Sequence, residues 1–259
     1  MKHDLNFIKD FLEEKTSFYN RSDFIASDPI SVPHSFTHTR DIEIAAFLTA
    51  TMAWGQRKTI INKAFQLLGL MNNHPYDFIC RLGPEEEKQL AYFCHRTFNG
   101  TDAVCFMRSL KNILLQFGSL QDLFEGLYLK DRNIRDTLIH FREVFFAPSY
   151  PARTAKHIAD VSKGSTAKRL NMFLRWMVRH DNRGVDFGHW RKIPPSALYI
   201  PLDVHSSAVA RRLGLLQRKQ NDWQAVEELT AVLRKFDRDD PVKYDFALFS
   251  LGVDNDLMI

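Results

Sequence analysis

Two residues of this chain have side chains that could do covalent chemistry together: Lys168, in GSTAKRLNMFLRWMVRH, and Asp203, in YIPLDVHSSAVARRLGL. An unprotonated amine is a nucleophile towards an electrophilic carbon, and a neighbouring carboxylate can accept its proton or steady positive charge as it develops. Each residue also has a plain structural use, since lysines commonly solvate helices and aspartates commonly cap them. The elements that carry the two residues are what make the pair worth pursuing.

Ser165 is a suitable N-cap for a helix in which Leu170, Phe173, Leu174 and Met177 recur at the spacing of one buried face. At about 100° per residue, Lys168, Met172, Arg175 and Arg179 form a second stripe opposite the apolar one. This helix is therefore expected to show the core an apolar face and a partner a cationic one. Further on, Asp203 stands at the N-cap of a helix over 204–213, with Arg211 and Arg212 in its last turn and Gly214 as its stop. The small residues Ser206, Ser207, Ala208 and Ala210 leave room for something bulky to approach. Between the two helices, the loop HDNRGVDFGHWRKIPPS carries Trp190, which could stack on a base or pin the loop to the core.

The rest of the chain reads as helical. It has 259 residues, 45% of them hydrophobic, with 21 phenylalanines and only 11 glycines and 10 prolines, and no run of alternating strands. Periodicity predicts helices over 4–20, 42–54, 60–71, 75–81, 84–96, 101–117, 119–128, 132–146 and 222–236, and a last one opened by Asp240-Pro241 and stopped by Gly252. The cluster Phe141, Val144, Phe145 and Phe146 is expected in the core. Residues 41–150 are expected to form a core subdomain, and 151–220 a hairpin-like segment with the Asp203 helix. Residues 1–40 and 221–259 would complete a second subdomain.

The formal charge of +4 permits a polyanionic partner without requiring one. Its distribution says more, because residues 163–219 hold only three acids, Asp181, Asp186 and Asp203, among many lysines and arginines. Three cysteines without framework spacing, a charged amphipathic start and no apolar run long enough to span a bilayer predict a cytoplasmic protein that avoids membranes.

IPLDVHSSAVARRLGL resembles the segment of helix-hairpin-helix DNA glycosylases in which an Asp, followed by His two positions later, opens a helix ending in Arg-Leu-Gly; here these are Asp203, His205, Arg212, Leu213 and Gly214. IEIAAFLTATMAWGQRKTIINKAFQLL resembles the same superfamily's early apolar helix and Gln-bearing loop, and DPVKYDFALFSLG its late helix. More narrowly, the chain looks like an uncharacterised bacterial group similar to the archaeal branch of 8-oxoguanine glycosylases, with Ala167-Lys168 where that branch has Ala-Lys. VSKGSTAKR departs from the usual hairpin, having one glycine where the common motif has two. Cys80, Cys94 and Cys105 lack the spacing of the four-cysteine iron-sulfur loop found in several members, so no cluster is expected.

The resemblance implies an all-α fold of two packed helical subdomains with a cleft between them. It implies a monomeric, cofactor-free glycosylase and AP lyase acting on double-stranded DNA that contains an oxidised purine such as 8-oxoguanine. Lys168 would be the nucleophile and Asp203 its partner, with the amine's pKa pushed down by desolvation and by Arg169, Arg175 and Arg179. The expected nucleic-acid contacts are Gln56, Arg57, Lys58, Arg169, Arg175, Arg179 and His205, with Trp190 as the base-stacking candidate. Two other readings remain open: a non-catalytic DNA- or RNA-binding relative, and a metal-dependent phosphohydrolase using His34 or His38 with His180, Asp181 and Asp203.

Overall fold

Short polar residues cap several of the helices. In the computed structural model, which describes residues 4–254, the chain opens with α1 (Leu5–Tyr19) and α2 (Ser22–Ser27), and Asp4 caps the first by accepting from Asn6 N. There follow α3 (Thr39–Thr51), α4 (Arg57–Leu70), α5 (Pro75–Arg81) and α6 (Pro84–Leu90). The two-residue strands β1 (Cys94–His95) and β2 (Phe98–Asn99) pair antiparallel, with His95 opposite Phe98. Then come α7 (Gly100–Phe117), α8 (Leu120–Asp131) and α9 (Ile134–Phe145), capped by Asn99, Ser119 and Asn133. The remainder is α10 (Lys168–Val178), α11 (Val204–Arg212), α12 (Trp223–Phe236) and α13 (Asp245–Asp254), joined by loops and 3-10 turns. Among the described residues the protein is all-helical apart from that one small hairpin.

The chain divides into two units, residues 25–159 and residues 1–24 with 160–259. Residues 25–40, expected with the termini, belong to the first of these, where 3-10 turns at Pro29–Ser31 and Pro33–Ser35 pack on α3. The core of this unit is aromatic. Phe106 meets Phe145 edge-on at 4.8 Å, Phe124 stacks on Phe141 at 4.4 Å, and Phe47 lies against Phe106, Phe141 and Phe145. Each buried phenylalanine contributes about 1.5–3 kcal/mol of hydrophobic stabilisation. In the other unit, α13 packs on α11 and α1.

Several expected boundaries move, for local reasons. The 84–96 helix stops at Leu90, because Phe93 and Phe98 turn inward on the hairpin while Cys94 stays outside. Gly100 can follow only as glycine, since a Cβ there would lie 2.0 Å from Ala91 O. Gly252 does not stop the last helix, which runs on to Asp254; a Cβ at this position would come within 2.9 Å of His205, so the glycine lets α13 approach α11 closely. Ser165 is not the N-cap of α10. That helix starts at Lys168 after Ala167 in the left-handed region (φ 49°), while Ser165 Oγ accepts from Ala167 N and Asn171 Nδ2 reaches back to Thr166 O at 3.1 Å.

Candidate active site

Asp203 is held by the backbone it caps. Its Oδ1 accepts from His205 N at 2.9 Å, Ser206 N at 3.0 Å and Ser206 Oγ at 3.2 Å, while Ser206 Oγ accepts from Asp203 N to close a capping box. One carboxylate oxygen is therefore taken up by the start of α11, where the helix dipole also favours negative charge. The other, Oδ2, lies 3.9 Å from Lys168 Nζ. Both side chains are about one-fifth exposed, at 23% for Lys168 and 20% for Asp203. Lys168 extends from the first turn of α10, its Nζ 3.7 Å from Met172 Sδ and 5.7 Å from the centre of the Phe249 ring. Amine, carboxylate, thioether and aromatic face thus meet at one partly open place. A reactive amine next to a fixed carboxylate can pass a proton to it without either group having to move far.

The arginines of the second stripe do not face a partner. Arg175 and Arg179 are buried, at 4% and 2% exposure. Arg175 pairs with Asp186 and Asp245, and Arg179 with Asp181, Asp186 and Asp240. Both guanidinium groups also lie over the Phe246 ring, at 4.4 and 5.4 Å. Burial works against the charge on Arg179, but Asp186, Asp240 and Asp181 outweigh it and hold its pKa above the usual arginine range. As phosphate contacts the two residues are therefore corrected: their donors are aimed into the protein at acids, because a buried guanidinium needs paired carboxylates. Since those acids compensate their charge, they are also not the cationic neighbours expected to act on Lys168. Trp190 is corrected likewise. It is fully buried, edge-on to Phe173 at 5.2 Å, with its backbone N–H donating to Met177 O, so it pins the 180–196 loop to α10.

Arg169 is half-buried, and packing around it brings its pKa down to about 10. His205 is exposed, its ring edge-on to Phe249 at 6.3 Å. Gln56, Arg57 and Lys58 sit at the start of α4 in the 25–159 unit, Gln56 and Lys58 exposed and Arg57 half-buried. The segment before α10 consists of 3-10 turns at Ala152–His157 and Val161–Lys163 instead of a first α-helix.

Two contributors to the site lie on α13 and were not among the expected residues. Asp245 is buried, and burial pushes its pKa up to about 6 against the opposing pull of Arg175; the charges of Asp203 and Lys168 act on it as well. Phe249, one turn further on, puts its ring beside Lys168 and His205. The signal for both was present in DPVKYDFALF, where an Asp four residues before a Phe shares its helix face in an otherwise apolar helix.

Among the described residues no three His, Cys, Asp or Glu side chains group so as to hold a metal ion, and no helix is long and apolar enough to cross a membrane. His34 and His38 lie in the 25–159 unit, whereas His180, Asp181 and Asp203 lie in the other. Cys80, Cys94 and Cys105 are all free thiols. No curated protein and no solved structure matches the chain. A family model matches residues 28–254, which include Lys168, Asp203, Asp245 and Phe249. The chain belongs to that family, DUF2400, described as a protein of unknown function.

Proposed function

We propose that this protein is a DNA repair glycosylase with AP lyase activity, acting through Lys168 and Asp203 on an oxidised purine such as 8-oxoguanine. The observation that carries the reading is the 3.9 Å approach of Lys168 Nζ to Asp203 Oδ2, with Asp203 Oδ1 fixed by the first amides of α11. The resemblance to helix-hairpin-helix glycosylases supports it. In this reading the two helical units are a variant of that fold, and damaged duplex DNA is the partner.

The proposed chemistry starts at the lysine–aspartate pair. Asp203 Oδ2 takes a proton from the Lys168 ammonium, leaving a neutral amine. That amine attacks the sugar C1′; a C–N bond forms as the glycosidic bond breaks, and the base leaves with the bonding electrons and is protonated. Having passed the lysine proton on to the departing base, Asp203 is again a carboxylate and steadies the positive charge that develops at C1′. The attached nitrogen loses a proton and O4′ gains one as the sugar ring opens to a protonated Schiff base on Lys168, and loss of a C2′ proton then expels the 3′ phosphate and cuts the strand. The base must first leave the helical stack, because its glycosidic bond is out of reach inside the duplex.

Borohydride reduction of mixtures with an 8-oxoguanine duplex and with an abasic duplex tests this reading. It predicts a protein–DNA adduct with the wild type and none with Lys168→Gln. It also predicts a rate reduced at least a hundredfold with Asp203→Asn, on the scale of general acid–base catalysis, roughly 10²–10⁴-fold. A wild type that binds the duplex in a salt-sensitive way but yields neither adduct nor nick would establish the non-catalytic reading instead. The absence of a first α-helix before α10 favours that second reading.

A further inference from the structure

The cationic stripe of α10 that Lys168 opens has a partner helix. Phe249 of α13 has its ring centre 5.7 Å from Lys168 Nζ, the Phe246 ring lies 4.4 Å from the Arg175 guanidinium and 5.4 Å from that of Arg179, and Asp245 pairs with Arg175. The order of contacts is reversed between the two helices, so α13 runs antiparallel along the stripe. The same helix also meets the Asp203 side of the site. Gly252 lets it close on His205, whose ring is edge-on to Phe249. One helix thus touches both elements that carry the reactive pair.

Asp245 is more than these arginines need. Among the described residues, Arg175 and Arg179 pair with four acids, Asp181, Asp186, Asp240 and Asp245. Arg175 would keep Asp186 if Asp245 were replaced. A buried carboxylate beyond what charge compensation requires is costly to folding, and Asp245 is buried. Its place in the fold explains it better. It is the first residue of α13, one turn before Phe249, and it accepts from a guanidinium of α10 two turns after Lys168.

The reactive pair leaves little room for error. Lys168 Nζ and Asp203 Oδ2 are 3.9 Å apart, beyond a direct hydrogen bond, and the amine rides on a flexible four-carbon stem. Asp203 is fixed by the first amides of α11, so their approach depends on where the amine is held. Its neighbours there are Met172 Sδ, on its own helix, and the Phe249 ring, which α13 supplies. A slide of α13 along α10 would carry that ring away.

We infer that Asp245 is a positioning residue: by bonding Arg175 it locks α13 along α10, and so keeps Phe249 against the Lys168 amine and the amine within reach of Asp203. The inference rests on the reading of Lys168 and Asp203 as the reactive pair. Its geometric part can be tested without DNA.

The test is zero-length cross-linking of the DNA-free protein with a water-soluble carbodiimide, read by peptide mass spectrometry. The reagent activates a carboxylate, a touching amine displaces it as a urea, and an amide forms with net loss of one water. The Lys168–Asp203 amide reports the site, and the Lys243–Glu13 amide, from a pair 3.0 Å apart on the same unit, reports the fold. Asp245→Ala should lose most of the first amide and keep the second. Asp245→Asn, whose oxygen still accepts from Arg175, should recover most of that loss. Borohydride trapping on an abasic duplex at saturating protein should slow about ten- to a hundredfold in Asp245→Ala, with duplex affinity unchanged. Combining it with Arg175→Lys should slow trapping no further than the slower single variant, because both act on one contact. If Asp245→Ala does not fold, Arg175→Lys, which keeps the charge but cannot bridge both acids, takes its place in the comparison. A Lys168–Asp203 amide at the wild-type level in the variant overturns the inference, as does equal loss of both amides or a wild type without the first. A wild type that never traps, with the cross-linking pattern as expected, overturns the glycosylase reading and leaves the role of Asp245 standing.

Discussion

Replacing Arg179 by methionine separates two accounts of the arginine stripe on α10. In the structure Arg179 is 2% exposed and pairs with Asp181, Asp186 and Asp240. Methionine fills much of the volume but leaves Asp240, whose pKa burial already raises despite Arg179, without its cation. Asp186 keeps only Arg175. Removing one partner of a buried ion pair costs about 3–5 kcal/mol, because the remaining charge stays desolvated. With a urea m-value of about 2 kcal/mol/M, the midpoint should fall by about 2 M. Tryptophan fluorescence follows the relevant unit, since Trp176, Trp190 and Trp223 are buried there and only Trp54 lies in the other. Adding Asp240→Asn should recover part of the loss, as expected for residues that share one network. An Arg179→Met protein with an unchanged midpoint and weakened DNA binding would refute this reasoning and return Arg179 to the surface.

Three further outcomes follow. Gly252→Ala puts a methyl 2.9 Å from His205 backbone, so it should cost about 1–3 kcal/mol and, by moving α11 with Asp203, slow adduct formation; unchanged stability and trapping rate would refute the close packing. His95 is buried with its pKa lowered, first by desolvation and also by Arg96 and Lys63. Its contribution to stability is complete above its unfolded value of about 6.5 and is lost as pH falls towards the lower folded one, so the acid-side loss measured by urea melts should be smaller in His95→Gln. Asp245 has the opposite sign: with its pKa raised to about 6, its contribution is complete below the unfolded value of about 3.9 and fades as pH rises through 6. The stability difference between wild type and Asp245→Asn should therefore shift against the wild type between pH 4 and 7, and a difference independent of pH would contradict the assignment.

Most helices were legible because their apolar periodicity is local, and so was the cap at Asp203, which stands where its helix begins; the caps at Asn99, Ser119 and Asn133 emerged only in the structure. The approach of Lys168 to Asp203 was only an expectation until α10 and α11 were seen to bring the two together. What periodicity could not supply was the surroundings of the arginine stripe. The same pattern of Lys168, Met172, Arg175 and Arg179 describes a solvated face or one buried against acids, and the acids come from distant segments at Asp186, Asp240 and Asp245. Trp190 was ambiguous for the same reason, since a tryptophan in a loop stacks on whatever the tertiary fold brings to it. Ser165 misled because Asn171, one turn into α10, organises the backbone before the helix. Gly252 looked like a stop because a glycine required by a neighbouring helix is indistinguishable, in sequence, from one that ends its own.

The most direct test of the central claim is intact-mass and peptide analysis of the wild-type protein after borohydride reduction with an abasic duplex. The account predicts one covalent adduct, mapping to the peptide that contains Lys168 and absent from Lys168→Gln. An adduct on another lysine, or equal trapping by Lys168→Gln, would contradict it.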